Sequence, residues 1–162
     1  MALLPVKVDG LALDLITNSP VVILSHDETN QKLPIWIGQA EAWAIAMELS
    51  HLDSKRPMTH DILKTVISVL SAKVEKIAIT ELKEQTYYAR IWLKSDGILH
   101  EIDARPSDSI ALALKVKAPI YAEESLFKIG VPDLPEDLKA ETESLAERLK
   151  RINPEDFGKY SL

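Results

Sequence analysis

The chain contains no cysteine, and that one absence removes disulfides, thiolate zinc sites and cysteine nucleophiles together. Any metal has to sit on carboxylates and histidine, which favours a hard cation such as magnesium or manganese. No apolar run approaches the roughly 18 residues of a membrane span. The first thirty residues also lack a basic segment followed by a long apolar one, so a cytoplasmic protein with no membrane partner is expected. Clustered Lys and Arg are missing too. With a net charge of -6 and a pI near 5.2, the chain offers a polyanion no broad electrostatic footprint. HExxH, a Walker loop and a DxDxDG calcium loop are absent as well, so no metal or phosphate motif of high specificity is present.

What the chain does have is 162 residues at 46% hydrophobic, enough to close one core with an appended element. Residues 1–130 are expected to form the domain. Residues 131–162 are expected to add a linker, an amphipathic helix over 136–151 with Leu138, Leu145 and Leu149 on one stripe, and a tail punctuated by proline and glycine.

Apolar and β-branched stretches broken by turn residues predict strands over 6–15, 21–24 and 33–37, followed by a helix over 39–49. A second helix starts near Thr59, with Ile62, Leu63, Val66, Ile67 and Leu70 recurring on one face. Three further strands follow, with Ser95-Asp96-Gly97 as a hairpin signal. A helix from Ser107, where Ser107 is expected as N-cap, closes the unit, and residues 119–122 add a short strand. The two halves agree when laid over each other. Leu11-Ala12-Leu13 falls on Ile77-Ala78-Ile79, Ile35 on Ile102, Glu41 on Asp108, Ala44 on Ala111 and Ala46 on Ala113. The expected fold is therefore α+β, a duplicated β-β-β-α unit with an intervening helix. Its sheet should be mostly antiparallel with helices on one face, plus the C-terminal helix.

Two Arg-Pro corners precede helices, RPMTHD at 56–61 and DARPSDS at 103–109. They supply Arg56, Thr59, His60, Asp61, Asp103, Arg105, Ser107 and Asp108, a set that holds acid–base, anion-gripping and metal-ligating chemistry. A structural reading stands beside the functional one: Ser107 caps, Asp108 favours the helix dipole, and Arg105 pairs with Asp103 or bonds loop carbonyls. Trp36, Trp43 and Trp92 lie in apolar periodic segments and are expected to pack in the core or at an interface. Tyr87-Tyr88 sends one ring to each face of its strand.

With LPIWIGQAEAWAI, RPMTHD and DARPSDSIALAL in order, the chain resembles the bifunctional nuclease domain family over about residues 1–128. The resemblance implies hydrolysis of phosphodiester bonds in DNA and RNA, with nucleic acid as partner, and brings no agreed catalytic residues. The chemistry needs a positioned water, charge stabilisation on phosphate and protonation of the leaving oxygen. His60, Asp61, Asp103 and Asp108 are the catalytic candidates. Asp61, Asp103 and Asp108 are the candidate magnesium or manganese ligands, with Glu41 as a further one. Arg56, Arg105, Thr59 and Ser107 are the candidate substrate contacts. The alternative is a non-catalytic small-ligand or protein-binding regulatory module. Either way a homodimer or higher homo-oligomer is expected, from the number of aromatic side chains and the amphipathic end helix.

Overall fold

The structure is a computed structural model that describes residues 1–129; the helix expected over 136–151, its linker and the tail lie outside the described residues. Seven strands form one sheet: β1 (Leu3–Asp14), β2 (Ser19–Ser25), β3 (Lys32–Trp36), β4 (Lys73–Lys83), β5 (Thr86–Ser95), β6 (Ile98–Ala104) and β7 (Ile120–Glu123). Among the described residues three α-helices accompany them, α1 (Gln39–Leu49), α2 (Thr59–Val69) and α3 (Pro106–Val116), and a short 3-10 helix over Glu124–Lys128. The strand order is β3-β2-β1-β7-β4-β5-β6, so two outward-running meanders flank β7. All pairings are antiparallel except β4 with β7.

The short connections explain that topology, because two-residue turns join only antiparallel neighbours. At the β5–β6 turn Asp96 and Gly97 have φ of 50° and 76°, the paired positive φ that matches the twist of a tight hairpin. Glu84 and Gln85 adopt the same region between β4 and β5 without a glycine, held there by strands on both sides.

The duplication is visible in detail. The register shift of β1 between Val8 and Gly10 recurs in β4 between Val74 and Lys76. Helices α1 and α3 are eleven residues each and run in step, Gln39 with Pro106 and Leu49 with Val116. Helix α2 stands between the copies.

One apolar cluster joins the sheet to the helices through Val22, Leu24, Leu33, Ile35, Ile77, Ile79 and Ile91 from the strands, Ile45 from α1, and Ile110 and Leu112 from α3. The helices therefore cover one face, as the sequence predicts. Burying side chains of this size stabilises by about 1.5–3 kcal/mol each against leaving them in water. Helix α2 contributes least, with no buried residue and only Ile67 against the core. Trp36 is not in the core: it ends the edge strand β3, is about half exposed, and donates its indole N–H to Asp14 at 2.9 Å.

Candidate active site

The two Arg-Pro corners come together in part. A helix start frees backbone N–H groups and favours negative charge, and both corners place a carboxylate in such a first turn. In α2 the cap is Met58, one residue before Thr59, and Asp61 reaches back to accept the Met58 N–H at 2.8 Å. In α3 the cap is Arg105 rather than Ser107, because Pro106 takes the first helical position, where its missing N–H and fixed φ cost nothing. Ser107 is then carried into the first turn and buried, and it is not part of the cleft wall.

Between α1, the 52–58 loop, the start of α2 and one face of α3 lies a half-open cleft of about 830 Å³. Four groups meet in it. His60 Nε2 lies 3.1 Å from Asp108 Oδ1, and Arg105 Nε donates to Asp108 Oδ2 at 2.7 Å. Arg105 Nη2 sits 2.9 Å from Glu41 on α1. So Arg105 pairs with Asp108 and Glu41, not with Asp103. Deeper in, Lys115 bridges Glu48 of α1 and Asp61 of α2. Ser54 donates to the Arg56 carbonyl oxygen at 2.5 Å and lies 3.5 Å from Asp61.

The electrostatics follow from these contacts. Burial pushes the Asp108 carboxyl up, but hydrogen bonds from Arg105 and His60 outweigh it and hold the group below its ordinary value. Burial likewise raises Asp61, and Lys115, the Met58 N–H and Ser54 bring it below its usual range. Burial alone would lower Lys115; Asp61 and Glu48 hold it up. Asp108, reinforced by Glu41, raises Arg105. Every one of these groups stays charged at neutral pH.

Glu41, Thr59, His60, Asp61, Arg105 and Asp108 all line the cleft. Arg56 is exposed beside it and is not part of its wall. Asp103 is on the opposite side of the sheet. It pairs with Arg90 on β5, whose neighbours Ala89 and Ile91 face the core, so strand alternation turns Asp103 away from the helices. Lys115 and Glu48 escape the sequence reading because neither lies in a corner motif. The repeat held the signal: the same offset that matches Glu41 to Asp108 matches Glu48 to Lys115.

This donor set does not fit a resident magnesium or manganese ion. Among the described residues no three His, Asp or Glu side chains converge as ligands, and Glu41, Asp108, Glu48 and Asp61 each already serve Arg105 or Lys115. Five carboxylates (Glu41, Glu48, Asp53, Asp61, Asp108) line the cleft against Lys55, Arg105 and Lys115. A polyanion is therefore not drawn in by long-range attraction and has to be engaged by local contacts.

Comparison with known proteins places the same stretch in a family. The sequence profile of the bifunctional nuclease domain matches residues 22–130, which include every cleft residue. An uncharacterized protein of Mycobacterium tuberculosis is 35% identical over 161 residues, covering 94% of this chain and 96% of its own length. Bifunctional nuclease 1 of Arabidopsis thaliana is 24% identical over 116 residues, 70% of this chain but 36% of the plant protein. The bifunctional nuclease of Oryza minuta is 26% identical over 109 residues, 65% of this chain and 33% of the rice protein. The profile takes in well over half of the sequence, and the chain belongs to the bifunctional nuclease domain family.

Proposed function

We propose that this chain is a nuclease that hydrolyses phosphodiester bonds in DNA and RNA, with the reaction in the cleft. The observation that carries the reading is the His60–Asp108–Arg105 cluster, set at the start of α3 inside the region that defines the family. With Nε2–H held by Asp108, His60 has Nδ1 left to take a proton from an attacking water, the role of a general base oriented by a carboxylate. The water oxygen bonds to phosphorus, the bond to the leaving sugar oxygen breaks, and that oxygen takes a proton from solvent. Arg105 is largely exposed and, beyond Asp108 and Glu41, keeps N–H groups to offer a phosphate oxygen as charge builds. Thr59, at the lip, is a further substrate contact.

The test is cleavage of single-stranded DNA and RNA by rigorously purified protein, in magnesium, in manganese and in chelator. His60→Ala should lower the rate by about two to four orders of magnitude, the usual worth of a positioned base. Asp108→Asn should lower it too. Undiminished cleavage in both variants, with melting curves unchanged, would place the chemistry elsewhere. The predominance of carboxylates in the cleft favours a second reading, a non-catalytic module for a small ligand. Absence of cleavage under every metal condition would support it.

A homodimer or higher oligomer accompanies the proposal, supported by apolar side chains left exposed on α2 (Ile62, Val66, Val69) and its C-cap Leu70, and on edge strand β6 (Ile98, Leu99, Ile102). A sedimentation mass of a single 18.1 kDa chain over a wide concentration range would contradict it.

A further inference from the structure

The sheet has a second face, turned away from the helices and from the cleft. On β5 the residues that pack against the core are Tyr87, Ala89, Ile91 and Leu93. Alternation therefore puts Tyr88, Arg90, Trp92 and Lys94 together on the other side, in the order aromatic, cation, aromatic, cation. Neighbouring strands extend the pattern. Lys76 of β4 lies opposite Trp92, and Tyr121 of β7 lies opposite Ala78, the small residue that also faces Arg90. Lys76 Nζ is 4.6 Å from the Trp92 ring centre and 5.7 Å from that of Tyr121, and Lys83 Nζ is 5.9 Å from Tyr88.

We propose that this outward face of β4, β5 and β7 is a stacking surface for single-stranded nucleic acid, separate from the cleft. The proposal rests on the nuclease reading for the identity of its ligand class. Flat rings on a sheet, interleaved with cations, are what a single strand needs, since each base has a π-face to stack and each phosphate a charge to pair. Alternate residues along a strand are about 6.7 Å apart, a spacing that lets an extended strand set successive bases and phosphates on successive side chains. The rings belong to neither apolar cluster: the main core lies on the opposite face, and the small cluster of Ala12, Val21 and Ile23 on this face lies in the first copy of the repeat. Nor does the fold require them: the first copy of the repeat has the pair Gly10–Ile23 where the second has Lys76–Trp92, and Ala12–Val21 where the second has Ala78–Arg90. The net-negative cleft adds a reason, because it leaves a substrate only a few local contacts, and a second surface adds to them.

Charge on this face is mixed, and that shapes the expectation. Glu81 pairs with Lys83 at 2.6 Å and Glu101 with Arg90 at 3.5 Å, while Asp103 lies opposite Arg90. Lys76 and Lys94 have no carboxylate partner among the described residues. Two phosphate contacts on a single strand give affinity that falls about 25-fold for a tenfold rise in salt, so stacking has to supply most of the binding.

The experiment is fluorescence anisotropy with the full-length chain and labelled 12-mers of oligo-dT and oligo-rU, their integrity checked on gels after each titration. Trp92→Ala and Tyr88→Ala should each weaken binding about tenfold or more. Trp92→Phe and Tyr88→Phe, which keep a ring, should stay within about threefold. A duplex of the same length should bind less tightly than either single strand. If Trp92→Ala fails to fold, Tyr88→Ala and Lys76→Ala at the surface decide the matter. No binding by the unmodified chain, binding indifferent to both alanine variants, or equal losses in the phenylalanine variants would overturn the proposal. So would a change of sedimentation mass in the alanine variants with nucleic-acid binding intact, which would make the face a contact between copies. Ring-dependent binding without cleavage would leave the stacking surface standing and sink the nuclease reading. Cleavage with ring-independent binding would do the reverse.

Discussion

The two copies of the β-β-β-α unit share a backbone plan and differ in what they carry. On the outward face the first copy has Ala12, Val21 and Ile23, all buried; at matching positions in the pairing register the second has Ala78, Arg90 and Trp92. On the helices the difference is subtler. Glu41 and Asp108 are matched carboxylates, and both bind the guanidinium of Arg105, whose own match in the first copy is Gly38. Glu48 and Lys115 are matched positions of opposite sign, and they bond to each other. Duplication sets facing positions of α1 and α3 side by side. The proposed chemistry draws on both kinds of position: Asp108 stands where the copies agree, Arg105 and Lys115 where they differ.

The copies part most at His60, which has no counterpart among the described residues because α2 lies between them. His60→Ala should remove two to four orders of magnitude of cleavage rate while leaving the melting temperature within about 2 °C, since the side chain is peripheral to the core cluster.

Next in size comes the Lys115 bridge. Lys115→Met leaves Glu48 and Asp61 facing each other without a cation and should cost about 2 kcal/mol, below the 3–5 kcal/mol of a fully buried pair because all three side chains keep some exposure. Chemical denaturation at pH 7 measures it, and a loss under about 0.5 kcal/mol would make the bridge ornamental. The same groups give the stability curve its pH limits. Asp61 and Asp108 are held below the ordinary 3.8, so their contribution is full above that value and is lost as pH falls through their folded values. Lys115 is held above 10.5; its contribution is full below that pH and disappears as pH rises past the folded value. Unfolding midpoints recorded against pH should therefore stay flat between about 5 and 9 and fall outside those limits, and Lys115→Met should flatten the alkaline limb.

Smaller still is the effect of Gly38→Ala. The Glu41 carboxylate folds back over Gly38 so closely that an added methyl would meet it. Glu41 is a flexible side chain, so it should swing aside at a cost below about 1 kcal/mol. The sharper consequence is an Arg105 freed from Glu41 while still held by Asp108, and Glu41→Gln should reproduce it. If these two variants differ in cleavage rate by more than a few-fold, the link through Arg105 is wrong.

Most of the fold was legible because its signals are local. Period-two and period-3.6 patterns, Asp96-Gly97 and the matched triplets Leu11-Ala12-Leu13 and Ile77-Ala78-Ile79 each act over a few residues. The site was legible by residue type more than by position. Asp103 sits in a promising corner, yet one step of strand alternation carries it across the sheet, while Asp108, five residues on, turns into the cleft. Ser107 looked like a cap until Pro106 took the first helical position. Lys115 was invisible to motif reading because its partners come from two other helices. The outward aromatic face needed the register of three strands, which no single stretch of sequence contains.

If His60 and Asp108 work as one unit on a phosphodiester bond, a double-mutant cycle on cleavage rate reveals it. His60→Ala should lower the rate by at least about a hundredfold, and adding Asp108→Asn to it should lower the rate little further. Losses that multiply, or a His60→Ala enzyme as fast as the unmodified chain, would contradict it.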